Sequence, residues 1–156
     1  MDSVRIVEGE VTARDRKVAV AAARFNDFIV SSLLKGATTA WLERGGTPAD
    51  LFVTRVPGAF ELPVVARKLA ASGKYDAVVA LGCVIRGDTP HFDYVAGECA
   101  RGLQLASLET GVPIVFGVLT VETVEQALER AATSSANKGG ESMETALEMA
   151  SLMAQI

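Results

Sequence analysis

The densest group of residues able to do chemistry spans 82–94, which reads Gly-Cys-Val-Ile-Arg-Gly-Asp-Thr-Pro-His-Phe-Asp-Tyr. His91 is the only histidine in the chain. An imidazole with an ordinary pKa near ~6.5 takes up and releases protons around neutral pH. A lone histidine also serves purely structural ends, so its neighbours must decide. Gly87 lets backbone approach a ligand closely, and a helix starting around 89–91 presents unbonded N–H groups to an anion. Phosphate suits such an end, with the Thr89 hydroxyl as a further donor. Beside an anion site, His91 reads as a proton-transfer group.

Two other segments fall where loops follow apolar runs. In Arg24-Phe25-Asn26, Phe25 fits either a core aromatic or a platform on which a heteroaromatic ring stacks. In Pro57-Gly58-Ala59-Phe60-Glu61, Glu61 stands in a first helical turn, where the helix dipole favours an anion whatever the function. The same carboxylate has two oxygens able to accept neighbouring hydroxyls of a polyol. Arg130 and Lys138 flank a polar link and read equally as a solvated helix end or a phosphate clamp. No GxGxxG string and no Walker lysine occurs, which argues against a dinucleotide or ATP enzyme.

The elements that must hold these residues alternate. Apolar runs at 17–23, 51–56, 77–84 and 114–119 read as buried strands. Between them lie helical stretches: from Asn26 or Asp27 as cap to 44, stopped by Gly45-Gly46, and from 59 to 71, stopped by Ser72-Gly73. A third begins near Pro90, with Phe92, Val95, Ala96, Cys99, Leu103 and Ala106 at the helical period. Thr123 with Gln126 resembles a capping box for a helix to about 132. After a polar link at 133–140, Met143, Ala146, Leu147, Ala150 and Met153 mark a last helix. Strands apolar throughout and separated by helices predict one α/β domain over 1–156, a parallel sheet covered on both faces. Ligands in such sheets sit beyond the carboxyl ends of the strands. Residues 1–16 form an extension whose alternation at Val4, Ile6, Glu8, Glu10 and Thr12 suits an extra strand, one that nothing in its own chain needs.

Composition narrows the classes. Of 156 residues 49% are hydrophobic and only 22% charged, a balance that suits a chain covering apolar surface with other subunits. The net charge of -4 gives nucleic acid no electrostatic footprint. No apolar run is long enough to cross a bilayer, and residues 1–16 fit neither a signal nor a transit peptide, so the expected location is the cytoplasm. There Cys83 and Cys99 remain reduced core residues. One histidine and two cysteines cannot build a structural zinc site within one chain.

Five strings in order resemble the lumazine synthase family over residues 18–153: Ala23-Arg-Phe-Asn26, Val56-Pro-Gly-Ala-Phe-Glu-Leu-Pro63, the 82–94 segment, Phe116-Gly-Val-Leu-Thr120, and Glu129-Arg-Ala131 with Asn137-Lys-Gly139. The resemblance implies a flavodoxin-like three-layer αβα sandwich with a four-stranded parallel sheet. It implies condensation of 5-amino-6-(D-ribitylamino)uracil with 3,4-dihydroxy-2-butanone 4-phosphate, without cofactor or metal, in riboflavin biosynthesis. By the same resemblance Phe25 stacks on the pyrimidine, Ala59, Phe60 and Glu61 hold the ribityl side, and the backbone of Cys83, Val84 and Ile85 reads the ring edge. Asp88, Thr89 and Arg130 receive the phosphate with Lys138 nearby, His91 is the proton donor, and Phe116 closes the site.

Asp88 stands where many members of the family carry Gly or Ala, and Ser134-Ser135 occupy a link that is often more basic. Phe116 lies early in the fourth strand, and a helix returning from 123 to 132 carries Arg130 to the same, opposite end from His91. If all serve one site, Phe116 and Arg130 come from a neighbouring subunit. That agrees with the family's pentamers and icosahedral shells of sixty subunits, and the short link favours the shell. A flavodoxin-like electron carrier would want a Ser/Thr/Gly-rich loop where Arg24-Phe25-Asn26-Asp27 stands. A silent paralogue would have lost His91.

Overall fold

A computed structural model describes residues 3–134 and 136–156, so Ser135 of the polar link lies outside the described residues. Among them four strands, β1 (Val18–Ala23), β2 (Leu51–Val56), β3 (Ala77–Ile85) and β4 (Ile114–Val121), form a parallel sheet in the order β2-β1-β3-β4. The helices are α1 (Asp27–Glu43), α2 (Leu62–Ala71), α3 (His91–Thr110), α4 (Val124–Arg130) and α5 (Lys138–Gln155). Alternation of side chains along each strand divides the core in two. Val18, Val20 and Ala22 of β1 with Val79 and Leu81 of β3 pack under α1 and α5. Ala19, Ala21 and Ala23 with Val78 and Ala80 pack under α2 and α3. Both faces of the central strands are therefore covered, which is why those strands are apolar without a break. The expected three-layer sandwich is the one found.

The approach of α5 to α1 sets the position of Lys138. A side chain at Gly139 would start 1.9 Å from the Leu33 carbonyl oxygen, so only glycine fits. Buried Asn137 caps α5 by accepting from Gly140 N at 3.0 Å. Its Nδ2 donates to Ser32 O at 3.1 Å and to Ala131 O at 2.9 Å. One side chain thus ties α1, the end of α4 and the start of α5 together.

Residues 3–16 pair with no strand of their own chain and lie against α5, where Glu10 N donates to Ser151 Oγ at 2.9 Å. Gln155 Nε2 donates to Glu8 O at 3.1 Å in the same contact. Two local expectations change elsewhere. Met153 is exposed rather than core. The Thr123 cap accepts from Gln126 N at 3.2 Å, but the Gln126 side chain reaches one residue further back than in a capping box, to Glu122 N at 2.8 Å. No helix among the described residues is long and apolar enough to cross a membrane.

Candidate active site

The loops after β2, β1 and β3 meet at the carboxyl end of the sheet. They enclose two adjoining cavities of ≈ 270 Å³ and ≈ 500 Å³ that share Phe25, Ala59, His91 and Val95. Their combined size suits a small ligand.

The β1–α1 turn is built to present Phe25. Arg24 N donates to Val56 O at 2.8 Å and Phe25 N to Pro57 O at 3.0 Å, which laces this turn to the next loop. Arg55 reaches across from β2: Nε donates to Ala22 O at 3.2 Å, and Nη2 donates to Ala23 O at 3.1 Å and to Asp27 Oδ1 at 2.5 Å. The Arg55 hydrogen bond holds the Asp27 carboxyl below the ordinary carboxylate range. Phe25 itself is 72% exposed, so it is no core aromatic. Asn26 does not cap α1. It adopts φ 62 and ψ 45 with no capping bond, and its Nδ2 donates instead to Cys83 O at 2.9 Å. Asparagine tolerates this left-handed conformation better than most residues. The bond fixes the Cys83 peptide against the end of β1.

After β2, Ala59 is buried and Phe60 is 58% exposed, while half-buried Glu61 sits in a short 3-10 turn. The Glu61 carboxylate borders the larger cavity together with Tyr94. At the end of β3, Cys83 and Val84 are buried and Ile85 half-buried, and all three line the smaller cavity. Burial pushes the thiols of Cys83 and Cys99 up to about 11. Both stay protonated at neutral pH, so Cys83 offers the site its backbone and no thiolate nucleophile.

The loop before α3 brings Gly87, Thr89 and His91 to the smaller cavity. The backbone N–H groups of Asp88, Thr89 and His91 make no hydrogen bond among the described residues. Asp88 is exposed and its side chain does not border the cavity. Its exposed carboxylate lies outside the lining that Gly87, Thr89 and His91 form.

Phe116, Arg130 and Lys138 are not in this cleft. They line a separate one of ≈ 480 Å³ on the outer edge of β4, with Glu141 beside them. Phe116 pairs with Ala80, whereas the carboxyl end of the sheet is the pair Ile85 and Val121. Five residues at about 3.3 Å each place it roughly 17 Å back along the sheet. Arg130 is less remote than a longer helix would make it. Helix α4 has only 7 residues, and Arg130 shares its cleft with Thr120 and Val121 as well as Phe116. The separation is thus across the edge of the sheet as much as along it.

Four residues that organise these loops escaped sequence reasoning: Arg55, Arg86, Asn137 and the tethering role of Asn26. Each makes at least one contact distant in sequence, and Arg55 lies outside the quoted strings that hold the other three. Another cleft, ≈ 760 Å³ and lined by Asp15, Lys17, Phe52 and Tyr75 among others, lies at the amino ends of the strands, away from where parallel sheets bind ligands. No group of three or more His, Cys, Asp or Glu among the described residues is arranged to hold a metal ion.

A parallel sheet in this order, wrapped by helices and opening a cleft at its carboxyl ends, defines the flavodoxin-like class of α/β sandwiches. A model of the 6,7-dimethyl-8-ribityllumazine synthase family matches residues 15–154. The chain is 54% identical over 151 residues to the 6,7-dimethyl-8-ribityllumazine synthase of Syntrophus aciditrophicus (strain SB), covering 97% of this chain and 98% of that protein. The chain belongs to the lumazine synthase family, transferases of riboflavin biosynthesis.

Proposed function

We propose that the chain condenses 5-amino-6-(D-ribitylamino)uracil with 3,4-dihydroxy-2-butanone 4-phosphate at a site completed by a second copy of itself. One observation carries the shared site. The cleft that holds His91 is bordered by no Lys or Arg, whereas Arg130 and Lys138 border the other cleft of the same chain. A phosphate dianion handled beside His91 needs cations, and a neighbouring subunit docking its β4 edge there supplies them. The exposed Phe25, Phe60 and Tyr94 around the His91 cleft supply the apolar contact such docking needs.

On this reading Phe25 stacks on the pyrimidine, and the backbone of Cys83, Val84 and Ile85 pairs with its edge. Ala59, Phe60 and Glu61 take the ribityl hydroxyls. The N–H groups of Asp88 and Thr89 and the Thr89 hydroxyl receive phosphate, with Arg130 and Lys138 of the neighbour, whose Phe116 covers the ring. The pyrimidine 5-amine attacks the ketone and water leaves, forming an imine. Phosphate is eliminated, the enol tautomerises, and the ribityl-bearing nitrogen closes the ring as a second water departs. His91 moves protons through these steps. Positioned acid–base groups contribute about 10²- to 10⁴-fold, while well-oriented reactants reach effective molarities on the order of 10⁵ M. Holding the two substrates together is therefore the larger part of catalysis.

The assembly that follows is a pentamer, with the icosahedral shell as its larger form. Residues 3–7, whose backbone makes no hydrogen bond among the described residues, can add a strand to a neighbour. Cytoplasm is the proposed location, where the unpaired Cys83 and Cys99 stay reduced. The test is to mix the purified protein with both substrates and follow the lumazine chromophore, with native mass spectrometry of the same sample. Chromophore formation by a multimer is the expected result. Turnover by a monomer, or no turnover by an intact assembly, would overturn the reading.

A further inference from the structure

The loop from 86 to 90 is exposed throughout, yet it must present Thr89 and His91 at fixed places. One side chain restrains it. Arg86 Nε donates to Glu122 Oε2 at 2.9 Å, and its Nη2 donates to Asp93 Oδ1 at 3.3 Å. Its guanidinium carbon lies 4.4 Å from the centroid of the Phe92 ring, and its backbone N–H donates to Val121 O at 2.9 Å. Among the described residues no other side chain of the loop makes a hydrogen bond. Arg86 therefore joins three elements: the β3–α3 loop, the first turn of α3, and the turn from β4 into α4.

Its place between the clefts matters as much as its bonds. Ile85 and Gly87, on either side of it, border the His91 cleft, while Val121, which accepts its backbone N–H, borders the Arg130 cleft. Arg86 is the point at which the two half-sites of one chain are joined. It also balances charge. Asp93 lies two residues beyond His91, and Glu122 opens the turn that leads to Arg130. With Arg86 the trio sums to -1, from one cation and two carboxylates, and without it to -2. An arginine fork over an aromatic ring and two carboxylates is a geometry lysine cannot reproduce.

We propose that Arg86 is a positioning residue for the phosphate-bearing substrate: it fixes the 87–91 loop against the α4 turn and keeps the Asp93 and Glu122 carboxylates from opposing the anion. The proposal rests on the reading of that loop as the phosphate site. Ion pairs this exposed add little to stability, so the effect belongs in substrate affinity. The hydrogen bond to Glu122 raises the Arg86 pKa further, so the cation persists at every working pH.

The test measures kcat and KM for each substrate, and inhibition by inorganic phosphate, in Arg86→Met and Arg86→Lys assemblies, with Thr89→Val and Arg130→Ala in parallel. Arg86→Met should raise KM for the keto-phosphate about tenfold and weaken phosphate inhibition by the same factor, the size of one lost charge-assisted contact. KM for the pyrimidine should move less than about twofold. Arg86→Lys restores charge without the fork and should fall between the two, and it serves if Arg86→Met does not assemble. Equal losses for both substrates, or a kcat loss with KM unchanged, would make Arg86 merely structural. If Thr89→Val and Arg130→Ala raise the keto-phosphate KM and both Arg86 variants do not, Arg86 alone loses its role. If all four variants leave that KM unchanged, the phosphate site is elsewhere and both readings fall.

Discussion

The cleft at the strand carboxyl ends and the cleft along the β4 edge are built from opposite materials. The first has shape: an exposed aromatic platform, fixed strand-end peptides, a carboxylate at a helix start and the only histidine, with no cation on its wall. Its loops are laced by Arg55, Asn26 and Arg86. The second has charge, Arg130 and Lys138 with Phe116 and Glu141, but no imidazole, and Asn137 anchors the start of the helix that carries Lys138. Each holds what the other lacks. A protein that must bring two substrates together loses nothing by dividing the site so, provided its copies associate. On the proposed reading the division couples assembly to activity, since an isolated chain would hold each half facing water.

The largest expected effect breaks the two halves separately and then recombines them. His91→Ala should lower turnover by about 10²- to 10⁴-fold while substrate positioning survives. Arg130→Ala should lower it through the other cleft. Co-refolded in equal amounts, the two variants would by random mixing form about a quarter of their interfaces from an intact His91 and an intact Arg130. Activity should then rise well above either parent. Native mass spectrometry with one variant isotopically labelled would establish that subunits had exchanged. Mixed assemblies no more active than the average of the parents would put the whole site in one chain.

A smaller effect sharpens the contrast between shape and charge. Phe25→Ala removes a stacking surface worth about 0.5–1.5 kcal/mol beyond its area, or roughly 2- to 13-fold in pyrimidine affinity. Arg130→Ala removes a charge-assisted bond worth about 1.5–3 kcal/mol and should weaken the keto-phosphate by at least tenfold. Each variant should leave the other ligand nearly untouched. Calorimetric titration of both ligands into both variants reads this directly, and parallel losses would dissolve the distinction between the clefts.

What the sequence made legible follows the same division. The strands were readable because β1 and β3 are buried on both faces and carry unbroken apolar runs, so their ends fall where expected within a residue or two. The start of α3 was readable because Gly87, Thr89 and Pro90 are local signals. Asn26 was not: a cap and a cross-strand tether demand the same residue type, and only the fold shows its amide turned to Cys83. Arg55 and Arg86 drew no role from the sequence because their partners lie in other elements. Met153 kept the helical period of α5 and is nonetheless exposed, since periodicity reports a face and not what meets it.

The smallest effect tests whether the lacing of the first cleft depends on charge. Asp27 accepts from Arg55 at 2.5 Å, and that bond lowers its carboxyl pKa in the folded chain. A group with a depressed folded pKa adds stability above its unfolded pKa, about 3.9 for aspartate, and loses it as pH falls through the folded value. Asp27→Asn keeps an oxygen for Arg55 to bond but removes the charge. The variant should therefore melt slightly below the parent at pH 7, and the gap should be flat from about pH 5 to pH 8. Below about pH 4 it should close, because the parent's own carboxyl is then taking up a proton. Because Asp27 is exposed, the gap stays small. Pyrimidine affinity should change less than in Phe25→Ala, since Arg55 still holds the Ala22 and Ala23 carbonyls. Melting curves of both proteins at matched pH values check the sign. A gap that widened in acid would mean that the Asp27 charge opposes the fold, and that the β1–α1 turn is held by the carbonyl bonds of Arg55 alone.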